Sequence, residues 1–77
     1  MRVEQWVRTF AEQAGAQAPD RDQIDEILRL AAVAAHSSER IAAPIACWIA
    51  GTTGRPLAEL RALAESLASE DEEPADS

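Results

Sequence analysis

The side chains with the most chemical potential lie together in the middle of this 77-residue chain. His36 is its single histidine, and Glu39 and Arg40 follow within the next four positions. An imidazole close to a carboxylate and a guanidinium could hold an anion or the carboxylate of a partner. We therefore take His36, Glu39 and Arg40 as the candidate binding residues.

A purely structural role for the same three residues is the alternative. His36 is expected at the end of a helix, where an imidazole meets unsatisfied carbonyl groups favourably. Glu39 and Arg40 would then brace the turn into the next helix. Catalysis is not expected, because the chain has no second His and no Tyr or Lys to complete an acid–base pair. One His with scattered acids predicts no metal site, and no cofactor is expected.

The adjacent Ser37 and Ser38 raise a second chemistry, attachment of a phosphopantetheine arm in a small acidic helical carrier protein. Acyl carrier proteins place that serine in an Asp-Ser-Leu motif at the start of a helix. Here His36 and Glu39 flank the two serines instead. Capping of the third helix is the role that the sequence favours for these hydroxyls.

The net charge of −7 says little about partners, because the excess acid lies at the end of the chain. Residues 70–77 hold five of the acids, and the rest of the chain carries nine acids and seven bases. Those bases are all arginines and are scattered singly, whereas nucleic-acid binding requires a basic cluster. Nucleic acid is therefore not an expected partner.

The location of the protein is predicted from its apolar segments. The N-terminal residues mix charged and apolar types, unlike a signal peptide. The longest uncharged run begins at Ile41 and is shorter than the roughly 20 residues that span a bilayer. No membrane contact is expected, and the predicted compartment is the cytoplasm. Cys47 lies in this run, where a lone cysteine behaves as a small buried hydrophobe.

Apolar residues recur with helical spacing along the chain up to residue 69. The first stripe runs from Val3 to Ala14, and Gly15 is expected to end that helix in the left-handed conformation. The second helix begins at Asp20, which forms a capping box with Gln23, and it ends near His36.

The third helix is expected to begin between Ile41 and Pro44 and to end between residues 51 and 54. Its body from Pro44 to Ala50 has no polar side chain on any face, which is typical of a central, buried helix. Trp48 on this helix and Trp6 on the first are expected to fill the core. A fourth helix restarts at Pro56.

These patterns predict an all-α fold, a compact four-helix domain over residues 1–69 with a buried third helix. Residues 70–77 are predicted to be a disordered acidic tail. So small a core yields only about 3–5 kcal/mol of net stability. Both a marginal monomer and a chain stabilised by a partner or a second copy remain open.

The stretch from Ala35 to Gly51 resembles a small helical domain family of unknown function, mainly from actinobacteria. The family pattern reads Ala-His-x-x-Glu-Arg-Pro-x-Ala-Pro, followed by an apolar helix and Gly. Ile41 stands where many members have Pro. The positions that correspond, apart from the helix that starts at Asp20, are Trp6, His36, Glu39, Arg40, Ala43, Pro44 and Gly51.

Members resembling this chain occur alone or fused to the nucleotidyltransferase of molybdopterin-guanine dinucleotide biosynthesis. The resemblance implies an accessory role in molybdenum cofactor maturation, with an enzyme of that pathway or the chain itself as partner. It implies no catalytic residues. The leading hypothesis is a non-enzymatic interaction module. The alternatives are a small-anion or nucleotide-binding domain, with Arg40 and the start of the third helix as its site, and a structural homodimer.

Overall fold

A computed structural model describes the backbone of residues 1–71 and the side chains of residues 1–69. Within that part of the chain lie four helices and no strand: α1 (Val3–Ala14), α2 (Arg21–Ser37), α3 (Ala42–Thr53) and α4 (Leu57–Asp71). The predicted all-α fold of four helices is confirmed. Helix α4 includes the first two residues of the acidic stretch 70–77. The rest of that stretch lies outside the described residues, and its disorder stays a prediction.

The local signals at the helix ends act as the sequence predicts. Gly15 follows α1 with φ at 78°, and Gly54 follows α3 with φ at 73°, both in the left-handed region. At the start of α2, Asp20 and Gln23 form the expected capping box. The Asp20 carboxylate accepts from the Gln23 N–H at 2.8 Å, and the Gln23 side-chain oxygen accepts from the Asp20 N–H at 2.8 Å. These ends need only neighbouring residues, which is why sequence locates them.

The start of α3 differs from the prediction, because the serines do not cap it. The Ser37 hydroxyl still belongs to α2 and donates to the Val33 carbonyl at 2.7 Å, one turn back. Ser38 caps the C-terminal end of α2, and its N–H donates to the Ala34 carbonyl. Ile41 occupies the N-cap position of α3 and has no side-chain oxygen to offer. Capping of α3 by Ser37 or Ser38 is therefore wrong.

Helix α2 is the centre of the arrangement. Both α3 and α4 pack against it, whereas α1 has no comparably extensive contact with another helix among the described residues. The chain measures 51 × 25 × 18 Å along its principal axes. Three apolar residues of the described part are buried, Ala11, Leu30 and Ala50, and no large side chain there is completely enclosed.

The prediction of a buried third helix is not borne out. Trp48 is 73% exposed and Ile45 is 56% exposed, and Ala50 is the buried residue of α3. The other covered positions of α3 are small or half-covered, namely Ala42, Ala43, Ala46 and Cys47. Small side chains let two helix backbones approach closely, so α3 packs on α2 through its alanine side. Its large residues consequently lie on the opposite side.

The first tryptophan is not a core residue either. Trp6 is 54% exposed and stacks on Phe10, one helical turn further along α1, with ring centroids 5.1 Å apart. The covered side of α1 is carried by Val7 and Ala11 instead. The predicted apolar stripe of α1 is therefore real, but it is wider than the strip that α2 covers.

Candidate functional site

The three candidate binding residues do not converge on one point. His36 lies in the last turn of α2 and lines a shallow depression with Glu65 and Ser69 of α4. Glu39 lies in the loop after α2 and lines a different groove, on the α3 side. Arg40 is exposed in the same loop. Among residues 1–69, no hydrogen bond or ion pair links these three side chains.

Glu39 and Arg40 brace the start of α3 through their main chains. The Glu39 carbonyl accepts from the Ala42 N–H at 2.9 Å, and the Arg40 carbonyl accepts from the Ala43 N–H at 3.1 Å. The next residue, Pro44, has no N–H. An anion at a helix start binds to free N–H groups. In the first turn of α3, the N–H groups of Ala42 and Ala43 are already used in hydrogen bonds, and Pro44 has none. This geometry favours the structural role of the junction over the anion-binding alternative.

A largely apolar groove lies between α3 and α4, and we call it the α3–α4 groove. It has a volume of about 460 Å³, and the C-terminal part of α2 closes one side of it. Five larger side chains line the groove, and they are Glu39, Ile41, Ile45, Ile49 and Leu67. The other lining residues are alanines and serines. Because α3 and α4 both pack on α2, the groove between them stays open and can receive the apolar surface of another molecule.

A second apolar surface lies on the outside of α3. Trp48 is the most exposed large residue of this helix and is not among the residues that line the α3–α4 groove. From Ile41 to Gly54 the chain carries no charged residue. We call the surface around Trp48 the outer face of α3. Apolar surface of this kind marks an interaction site when it forms a contiguous patch.

A third exposed apolar surface lies on α1. Val3, Trp6 and Phe10 are all more than half exposed, and they recur at i, i+3 and i+7 on one side of the helix. The apolar stripe predicted for α1 places these residues in the core, and the predicted burial of α3 does the same for Ile45 and Trp48, but all five are exposed. The signal that could have revealed the surfaces is the row of alanines in α3, because small residues mark the side on which two helices approach.

The charged groups with shifted pKa values belong to the scaffold. Hydrogen bonding to the Arg61 guanidinium holds the pKa of the Glu26 carboxyl below its usual value. The same hydrogen bond raises the pKa of Arg61, and a second hydrogen bond, to Glu65, raises it further. Burial raises the pKa of the half-buried Cys47 thiol. Each shift therefore has a cause in helix packing.

Neither a metal cluster nor a membrane-spanning helix is present in the described part of the chain. The side chains of residues 1–69 include no group of three or more His, Cys, Asp or Glu placed to hold a metal ion. Over the same residues, no helix combines the length and the apolar character that crossing a membrane requires.

The fold and its surfaces define a class, a small all-α domain that leaves apolar helix faces exposed. The chain belongs to the family of the domain of unknown function DUF6457, whose model it matches over residues 1–75. No curated protein and no solved structure matches it. The expected membership of a small domain family of unknown function is confirmed.

Proposed function

We propose that this domain is a non-enzymatic interaction module that binds another protein through the outer face of α3. The observation that carries the proposal is the exposure of Trp48 on a helix without charge. Trp is enriched among the few residues that supply most of the binding energy at interfaces. A large aromatic side chain left in water adds nothing to the fold, whereas its burial by a partner would stabilise a complex.

We expect the loop before α3 to supply charged residues at the edge of the interface. Glu39 and Arg40 are exposed, and their main chains are tied to the first turn of α3. Interfaces commonly surround an apolar centre with polar and charged residues that remain in contact with water. Of the three candidate residues, His36 lies apart on the α4 side.

The partner that we propose is an enzyme of molybdenum cofactor biosynthesis, the nucleotidyltransferase of molybdopterin-guanine dinucleotide synthesis. The support is the resemblance of residues 35–51 to domains that occur fused to that enzyme. A domain that is covalently joined in one protein can bind as a separate chain in another, and an exposed apolar helix is a suitable contact for both arrangements.

Calorimetric titration of the purified nucleotidyltransferase from the same organism with the full chain tests the proposal. Trp48→Glu should weaken binding roughly thirty-fold, the loss that a hot spot of about 2 kcal/mol gives. Leu63→Glu, at an exposed apolar position of α4, is the matched control and should bind normally. Absence of binding by the unaltered chain would reject this partner. Equal binding by Trp48→Glu would reject the outer face of α3.

A further inference from the structure

We propose that two copies of this chain form a dimer in which α1 of each copy lies in the α3–α4 groove of the other. The contact goes beyond the proposed function and uses different surfaces from the outer face of α3. It would be a permanent feature of the folded protein, present with or without a further partner.

One copy of the chain leaves a large amount of its surface exposed. The chain has 6226 Å² of accessible surface and a mass of 8.3 kDa. A compact monomer of that mass exposes about 4,600 Å². This surplus is larger than the ~800 Å² that each partner buries in an interface of standard size, so one copy exposes enough surface to form such an interface.

The shape and chemistry of the α3–α4 groove suit an amphipathic helix. On the α3 side its wall consists of Ile41, Ile45 and Ile49, which repeat every fourth residue and form one ridge. Leu67 of α4 lies opposite. Between them the lining is mostly alanine, including Ala34 from α2, so a helix could approach closely. Grooves of this kind bind an amphipathic helix through apolar anchors one turn apart.

Helix α1 has the anchors that such a groove accepts. Trp6 and Phe10 lie about one helical turn apart, and their stacking fixes the two rings side by side on the exposed side of α1. The neighbouring strip of the same apolar stripe, at Val7 and Ala11, is half-covered or buried within its own chain. The exposed side can therefore dock on another molecule while the covered side stays in place.

The occupant is a second copy because the chain's own α1 is held at the other end of α2. Val3 and Val7 line a cleft with Ile24 and Leu28, in the N-terminal half of α2. The α3–α4 groove adjoins the C-terminal half of the same helix, at Ala34 and Ser37. Rigid-body docking of a second chain fills the groove without moving α1 from this cleft.

The arrangement also closes on itself and is electrically compatible. Each copy offers one helix and one groove, so a two-fold axis satisfies both at once and leaves no free end for a chain of copies. Glu39 is the charged residue that lines the groove, and Arg2 and Glu4 flank Val3 at the start of α1. The charges at the helix start nearly cancel, so no like-charge repulsion opposes the pairing, and Arg2 is available to pair with Glu39.

Sedimentation equilibrium of the full chain tests the dimer. The unaltered protein should have the mass of two chains. Phe10→Glu on α1 and Ile45→Glu in the groove should each raise the dissociation constant of the dimer by roughly thirty-fold or more. Trp48→Glu, on the same helix as Ile45 but outside the groove, should remain dimeric. A monomeric unaltered protein, or dimers of Phe10→Glu and Ile45→Glu as tight as its own, would overturn the proposal.

Mixing the two altered proteins gives a sharper test. Phe10→Glu retains an intact groove and Ile45→Glu retains an intact α1, so an equimolar mixture can form one good helix–groove contact. The mixture should associate more tightly than either variant alone. No gain on mixing, with both variants helical by circular dichroism, would overturn the exchange. Loss of the dimer in Trp48→Glu alone would show that the outer face of α3 is the contact instead.

A cross-linking measurement covers the case in which the charged variants fail to fold. In a Cys47→Ala background, a Trp6→Cys protein is mixed with an Ile49→Cys protein under mild oxidation. A mixed disulfide should form if α1 of one copy lies in the groove of the other. Glu12→Cys, on the exposed far side of α1, replaces Trp6→Cys in the control and should not cross-link. Equal cross-linking of both would contradict the proposed docking.

Discussion

Arg61 of α4 binds Glu26 of α2 through two hydrogen bonds. The Arg61 Nε donates to Glu26 Oε1 at 2.8 Å, and its Nη2 donates to Oε2 at 3.3 Å. Both side chains are only 22% exposed, and Arg61 Nη1 also donates to Glu65 at 3.0 Å. It is the one ion pair between different helices in the described part of the chain. The pair fixes the position of α4 along α2, and thereby one wall of the α3–α4 groove.

Glu26→Gln should lower stability at neutral pH and flatten its pH dependence. The bond from Arg61 lowers the folded-state pKa of Glu26. Between the folded and the unfolded pKa of this carboxyl, the unfolded chain therefore binds more protons than the folded chain. The stabilisation is therefore complete above the ordinary glutamate pKa of about 4.3 and is lost as the pH falls through the lower folded value. Urea unfolding at pH 7 and pH 3, for both proteins, measures this difference. Glu12→Gln, an exposed carboxylate outside these ion pairs, should behave as the unaltered protein.

Leu30→Ala and Trp48→Ala should differ strongly in their effect on folding. Leu30 is 5% exposed, so its truncation should cost about 2–5 kcal/mol of unfolding free energy, a large part of the stability of so small a domain. Trp48 is mostly in water, and its truncation should change the free energy by about 0.5 kcal/mol or less. Thermal melts followed by circular dichroism compare the two. A large loss for Trp48→Ala would mean that α3 is the buried helix after all.

Gly51→Ala and Gly54→Ala should change stability in opposite directions. Gly51 lies inside α3, and an added methyl group would meet no described atom within 4 Å. Alanine there should stabilise the helix by about 0.5–1 kcal/mol. Gly54 has as much space, but its φ of 73° is unfavourable for alanine by about 1–2 kcal/mol. Chemical denaturation of both variants gives the two signs, and equal signs would contradict this account of the α3 end.

The Cys47 thiol should react slowly in the folded protein. Burial raises its pKa, so less of the reactive thiolate is present at neutral pH than in an exposed cysteine. Alkylation by iodoacetamide should be several-fold slower than in the chain unfolded by urea, as mass spectrometry over time can measure. Equal rates in both states would show that the α2–α3 contact opens readily. The same shift lowers stability as the pH rises past the ordinary cysteine pKa of about 8.5.

Local signals in the amino-acid sequence are enough to locate the helix ends. Asp20 and Gln23 cap α2, and Gly15 and Gly54 end their helices as their residue types predict, because each signal acts over one turn of backbone. The spatial placement of the candidate binding residues does not follow from such local signals. His36 and Glu39 are three positions apart in sequence, yet the turn after α2 directs them to different depressions.

Which apolar faces are covered depends on how the helices pack on one another. Helix α3 is apolar all round, so no periodicity in its sequence marks the side that meets α2. Packing covered the side with Ala46 and Ala50 and left Ile45 and Trp48 in contact with water. The α3–α4 groove is likewise a property of two helices placed on a third, and local sequence does not encode such a separation.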